Sequence, residues 1–146
     1  METTILPIVG KEYPLVVTEL INQAKNSIKI IVFDWRWYPN DPASPAQIFN
    51  NSILQAHKRG CEVKAICNMP DIVATLKPEG LKIKNITTKR LVHAKMIIID
   101  NKHVIIGSHN FSQNAFSQNY EFSVVIANTP NIERYTEFFD FLYQTA

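Results

Sequence analysis

The stretch from Leu91 to Asn110, LVHAKMIIIDNKHVIIGSHN, is apolar except for polar residues at spacings that suit chemistry on a phosphate. His93 and Lys95 are two apart, and so are Ser108 and Asn110. On extended chain, residues i and i+2 face the same way. Each pair therefore sets its side chains next to one another. An imidazole is a fair nucleophile and the best general acid or base near neutral pH. A neighbouring ammonium neutralises a bound anion, while hydroxyl and amide groups add donors for charged oxygens. Lys95 lies in an apolar run, where a cation is costly without a partner. That cost itself points to an anion at the site.

A working histidine needs its second ring nitrogen held in one tautomer, and a carboxylate does this well. Asp100 and Glu121 are the candidates. Asp100 follows His93 by seven residues of extended chain, which puts it about 20 Å away at the far end of the strand. Asp100-Asn101-Lys102 also reads as a turn. Glu121 opens a later strand and can reach the motif. Glu121 is thus expected to orient His93, and Asp100 to be structural. Asn119 and Glu121 make a third i, i+2 polar pair. His109, between two site residues, is expected to face the opposite way, and His103 is expected to be ordinary.

The elements that must position these residues follow from periodicity and turn chemistry. Helices are expected over 14–26, over 45–59 with Ser44 as N-cap and Gly60 as stop, over 70–77, and after Thr129-Pro130. The last helix should bury Ile132, Tyr135, Phe139 and Leu142. Strands are expected at 28–33, 61–68, 81–86, 96–99, 103–106 and 121–127, with 7–11 a loop or short edge segment. Residues 111–118 read as a short helix. Helices and strands alternate early and strands cluster late. The expectation is one α/β domain over 1–146, with a mixed β-sheet flanked by helices on both faces.

The segment from Asp34 to Ser44, DWRWYPNDPAS, follows a central strand, where binding loops usually sit. As a cleft wall it would offer Trp35, Trp37 and Tyr38 for stacking and Arg36 for a phosphate. As a rigid proline loop it would tuck its tryptophans into the core. Lys89 and Arg90 lead into the motif, where a basic pair steers anions.

Composition sets outer limits. The chain has 146 residues, 46% of them hydrophobic, and a formal charge of +2, which suits an anionic partner without demanding one. No apolar run approaches the roughly 20 residues of a membrane span, and the N-terminus shows no secretory pattern. Cys61 and Cys67 share one face of an alternating segment about 20 Å long, too far apart for a disulfide. They read as buried thiols, and the cytoplasm is the expected compartment. The His, Cys and carboxylate side chains are too scattered for a metal site, and no cofactor is implied.

The full pattern, H-x-K-x4-D-x6-G-S-x-N, resembles the signature of the phospholipase D superfamily. The resemblance implies a phospholipase D-like fold and phosphodiester hydrolysis without a metal, through a phosphohistidine. In that superfamily one histidine attacks phosphorus and a second serves the leaving oxygen. This chain carries one copy of the motif, so the resemblance implies a homodimer with two His93 side chains meeting across a two-fold axis. Small single-motif bacterial endonucleases of the superfamily are similar in size. The leading expectation is therefore a metal-independent endonuclease acting on DNA, with RNA as the second candidate polymer. Its catalytic residues would be His93, Lys95, Ser108, Asn110 and Glu121, with Asp100 and Gly107 structural. Trp35, Arg36, Trp37, Lys89, Arg90 and Asn119 would bind substrate. The alternatives are a phospholipase acting on cardiolipin or phosphatidyl esters, and a nucleic-acid-binding module without turnover. No amphipathic docking helix is visible, so no stable membrane association is expected.

Overall fold

The computed structural model describes all 146 residues. Its strands are β1 (Thr4–Val9), β2 (Ser27–Val32), β3 (Glu62–Cys67), β4 (Lys82–Asn85), β5 (Met96–Ile99), β6 (His103–Gly107) and β7 (Phe122–Ala127). Its helices are α1 (Glu12–Asn22), α2 (Pro45–Lys58), α3 (Pro70–Leu76), α4 (Gln113–Ser117) and α5 (Ile132–Thr145). All seven strands form one sheet in the order β1-β7-β6-β5-β2-β3-β4. β2, β3 and β4 run parallel, and every other neighbouring pair is antiparallel. The parallel neighbours are joined by helical crossovers, whereas β5 and β6 are joined by a tight hairpin. The mixed sheet flanked by helices is the architecture the sequence led us to expect.

Alternation along the central strands sends side chains to two cores. Ile28, Ile30 and Val32 of β2 and Ile97 and Ile99 of β5 join the larger core, with Val17 and Ile21 of α1 and Phe49 and Ile53 of α2. Ile31 and Ile98 point the other way, against Phe139 of α5. β5 is buried on both faces throughout, so its four residues read as an unbroken apolar run. Ser44 caps α2 by accepting from the Gln47 N–H at 3.2 Å, and Pro45 occupies the first helical position.

The structure revises three details. The loop or short edge segment expected at 7–11 proves to be the end of a longer edge strand, β1, which pairs with β7 over Thr4 to Val9, followed by a turn at Gly10 and Lys11. Its Pro7 is tolerated because an edge strand can spare a ladder donor. The ladder of β5 starts only at Met96, so His93 and Lys95 lie in irregular chain just before it. The alternation nevertheless continues: Val92, Ala94 and Met96 pack on the α5 side, leaving His93 and Lys95 for the other. Several element ends also shift by a few residues, α1 running over Glu12–Asn22 rather than 14–26.

Candidate active site

His93, Lys95, Ser108, Asn110 and Glu121 gather at one end of the sheet. β2 ends there, β5 begins there, β6 ends there and β7 begins there. Lys95 enters β5, Ser108 leaves β6, Glu121 enters β7, and Phe33 and Asp34 leave β2.

His93 is exposed, and its ring packs at a tilt on Phe33, centroids 5.4 Å apart. The Lys95 ammonium sits 3.1 Å from both ring nitrogens and donates to the His93 carbonyl at 2.9 Å. An ammonium carries donors only, so it can serve whichever nitrogen bears the lone pair. Burial pushes the Lys95 pKa below its ordinary value, against the pull of the nearby Glu121 charge. A phosphate dianion or diester at this position would offset that cost.

Glu121 makes different bonds from those expected. One carboxylate oxygen accepts from the Ser108 hydroxyl, and the other accepts from the Asn119 amide at 3.0 Å. No hydrogen bond joins it to His93 within the chain. Ser108 also accepts from the Phe122 N–H at 3.0 Å. Its single proton is therefore committed to Glu121, and its direct task is to hold that carboxylate. Asn110 accepts from the Asp34 N–H at 3.1 Å through its carbonyl oxygen, which turns its amide donors toward the cleft with no partner in the chain.

Gly107 lies opposite Ser123 in the β6–β7 ladder. A Cβ at Gly107 would overlap the Ser123 backbone and hydroxyl. That hydroxyl lies 2.7 Å from His109 Nδ1, and His109 Nε2 lies 2.9 Å from the Gly10 carbonyl. A carbonyl only accepts, so Nε2 carries the proton and Nδ1 accepts from Ser123. His109 is buried and stacked on Tyr13, facing away from the cleft as expected.

Asp100 sits at the opposite end of the sheet, in the β5–β6 turn. Asp100 and Asn101 both have positive φ, 55° and 51°, and the Lys102 N–H closes the turn on the Ile99 carbonyl at 2.9 Å. This is the I′ geometry that fits a two-residue hairpin. The Asp100 carboxylate accepts from the N–H groups of Lys25, Asn26 and Ser27 at 2.9, 2.8 and 3.0 Å. Burial alone would raise its pKa, but these three donors outweigh burial and leave it below the usual carboxylate value.

The aromatic loop corrects one expectation. Trp35 is fully buried and donates its indole N–H to Asn50 at 2.8 Å, so it offers no stacking face to a substrate. Trp37 and Tyr38 are half-buried against the larger core. Arg36 alone stands out, bonded through Nε to Asp34 at 2.7 Å. Lys89 and Arg90 are exposed in the chain leading to His93, and Asn119 shares a cleft with Asn110 and Arg36. Sequence reasoning missed Asp34, Gln47 and Asn50. Asn50 had a signal, since it falls in the buried stripe of α2 with Phe49 and Ile53, where a polar residue needs a partner.

The fold thus sets His93 and Lys95 in contact at one end of a mixed sheet, with Asn110, Ser108 and Glu121 at the strand ends beside them. The family model described as "Cardiolipin synthase, PLD-like domain" matches residues 17–143, and the chain belongs to the phospholipase D superfamily. It is 29% identical over 137 residues to phospholipase D Y of Dictyostelium discoideum, covering 82% of this chain and 31% of that protein. It is 26% identical over 125 residues to the 5'-3' exonuclease PLD3 of Xenopus laevis, covering 75% and 25%. The chain thus spans a third or less of those relatives. Nuc from Salmonella typhimurium, a phospholipase D family member, superposes with a TM-score of 0.83 at 25% identity, covering 98% of this chain and 95% of that one. No helix is long and apolar enough to cross a membrane.

Proposed function

We propose that this chain is a phosphodiesterase that hydrolyses nucleic acid, DNA in the first place and RNA as the second candidate polymer, through a phosphohistidine at His93. The observation that carries the reading is the exposed His93 ring with the Lys95 ammonium 3.1 Å from its nitrogens. An imidazole nitrogen attacks phosphorus; a nitrogen–phosphorus bond forms and the bond to the leaving oxygen breaks. Lys95 and the free amide of Asn110 hold the charged oxygens. Water then attacks the phosphohistidine and releases the second product. The attacking group is a side chain, so the step asks for no metal-activated water.

The leaving oxygen needs a proton, and the cleft of one chain holds no second free histidine. A homodimer supplies it as the His93 of a second copy, which later takes a proton from the attacking water. Exposed apolar side chains flank the site on both sides. Leu91, Phe138 and Phe141 are 69%, 45% and 64% exposed, and Val9, Tyr120 and Phe122 lie beside Ser108 and Glu121. Apolar surface of this kind, next to a half-complete site, suits a self-complementary contact.

The test is incubation of labelled single- and double-stranded DNA, and RNA, with the protein in EDTA, beside His93→Asn. Cleavage by the wild type and none by the variant is the expected result. A second reading, hydrolysis of a phospholipid, is favoured by the likeness to phospholipase D Y. Release of headgroup from vesicles with all nucleic acids left intact would establish it and overturn the first.

A further inference from the structure

Arg36 lies outside the His93–Lys95 pair yet is tied into the site by a chain of hydrogen bonds. Asn110 accepts from the Asp34 N–H, and Asp34 binds Arg36 Nε at 2.7 Å. The backbone on either side is also fixed. The Arg36 N–H donates to the Phe111 carbonyl at 2.8 Å, and the Arg36 carbonyl accepts from the Asn50 amide at 2.8 Å. Asn50 itself is buried.

An exposed arginine ordinarily loses much rotamer freedom on gripping a ligand. Here the guanidinium is held in advance, with Nε engaged and both terminal nitrogens free of any partner in the chain. Those two nitrogens form the planar fork that matches two oxygens of a phosphate. They project beside a polar cleft of about 450 Å³ lined by Asp34, Asn110, Gln113, Asn114 and Asn119. Asn110 belongs both to this cleft and to the motif. A phosphate at His93 and a second anion at Arg36 would therefore be neighbours along one ligand.

We infer that Arg36, positioned by Asp34, grips a phosphate flanking the one attacked, so that the site selects a polyphosphodiester strand over a ligand with one phosphodiester. This rests on the nucleic-acid reading above and deepens it. Lys89 and Arg90, exposed in chain leading to His93, lack such bracing and act only as diffuse positive charge.

Two measurements test it. In the His93→Asn background, binding of fluorescein-labelled single-stranded oligonucleotide is followed by anisotropy against salt. Arg36→Ala should weaken binding about tenfold and lower the slope of log K on log salt by about 0.7, the share of one phosphate on a single strand. Arg36→Lys should restore the slope and only part of the affinity, since a point charge lacks the fork. Asp34→Asn should weaken binding while keeping the slope. With active protein, the ratio of kcat/KM on oligonucleotide to that on bis(p-nitrophenyl) phosphate should fall about tenfold in Arg36→Ala.

Unchanged slope and ratio in Arg36→Ala, with wild-type cleavage of DNA intact, would overturn the clamp and leave the nuclease standing. A loss of binding with an unchanged slope in both Arg36 variants would overturn it too, since that marks damage to the loop. Wild-type turnover of bis(p-nitrophenyl) phosphate without cleavage or binding of any nucleic acid would overturn the underlying reading, and the clamp with it.

Discussion

The two ends of the β5–β6 hairpin carry residues of one motif and are built on opposite principles. At the turn end, the Asp100 carboxylate takes three backbone N–H donors and ties β5 to the start of β2. Its hydrogen-bonding capacity is used by the protein. At the open end, His93 is exposed, Lys95 is part-buried beside it, and the Asn110 amide has no partner in the chain. There the Asn110 donors are left unused by the protein. A fixed sequence pattern therefore mixes residues that hold the sheet with residues that wait on it, and only the bonding tells them apart.

Substitutions at the two ends should separate activity from stability. The largest effect is expected at Lys95. Lys95→Met should reduce kcat/KM on DNA by about 10²-fold or more, while the melting temperature stays level or rises. Burial disfavours the charged form of this lysine, so removing it relieves the fold. A clear drop in melting temperature would break the contrast.

Gly107→Ala should act through the frame instead. The new Cβ meets Ser123, and overpacking of this kind costs about 1–3 kcal/mol. Denaturant unfolding would read it, and β6 must shift Ser108 with it, so activity should fall alongside.

Asp100→Ala should cost about 1–3 kcal/mol by removing hydrogen bonds from three backbone N–H groups to a charged acceptor, with kcat retained once the protein is folded. The carboxylate is lowered from its ordinary pKa in the fold. The unfolded chain then binds more protons in acid, so the stabilisation is complete above the ordinary carboxylate pKa. It is lost as pH falls toward the depressed value. The stability–pH curve of Asp100→Ala should therefore be flatter than wild type in the acid range.

The smallest effect is at His109, whose pKa burial pushes below the histidine value, against the pull of the Gly10 carbonyl. Between the ordinary pKa near 6.5 and the lower folded value, only the unfolded chain gains a proton. Stability should decline as pH falls through that window, and His109→Gln should blunt the decline. Melting temperatures at a series of pH values would show it.

The sheet was legible because its strands are β-branched runs bounded by turn residues, as in IKIIVF and MIIID. The closeness of His93 and Lys95 was legible from their two-residue spacing. Three features were not. Burial of Trp35 depends on Asn50, a residue of another element that supplies its hydrogen bond. The pairing of Glu121 with Ser108 and Asn119 depends on how β7 enters the sheet, and spacing gave only its proximity. β1 was read as a loop or short edge because its ladder partner, β7, lies more than a hundred residues away.

The loop after β2 is pinned where it begins and where it ends. The Tyr38 N–H is held by Gln47 at 2.7 Å, and the Tyr38 hydroxyl by the Gln113 N–H at 2.8 Å. Ser44 fixes the start of α2. Between these anchors, Pro39 to Ala43 is exposed. Lengthening the chain there adds little closure entropy, because that cost grows only logarithmically with loop size. The tip is thus a natural attachment point for a grafted peptide, a reporter or a whole inserted domain, provided that Asp41, whose carboxylate accepts from the Gln113 amide of the cleft wall at 2.9 Å, is kept.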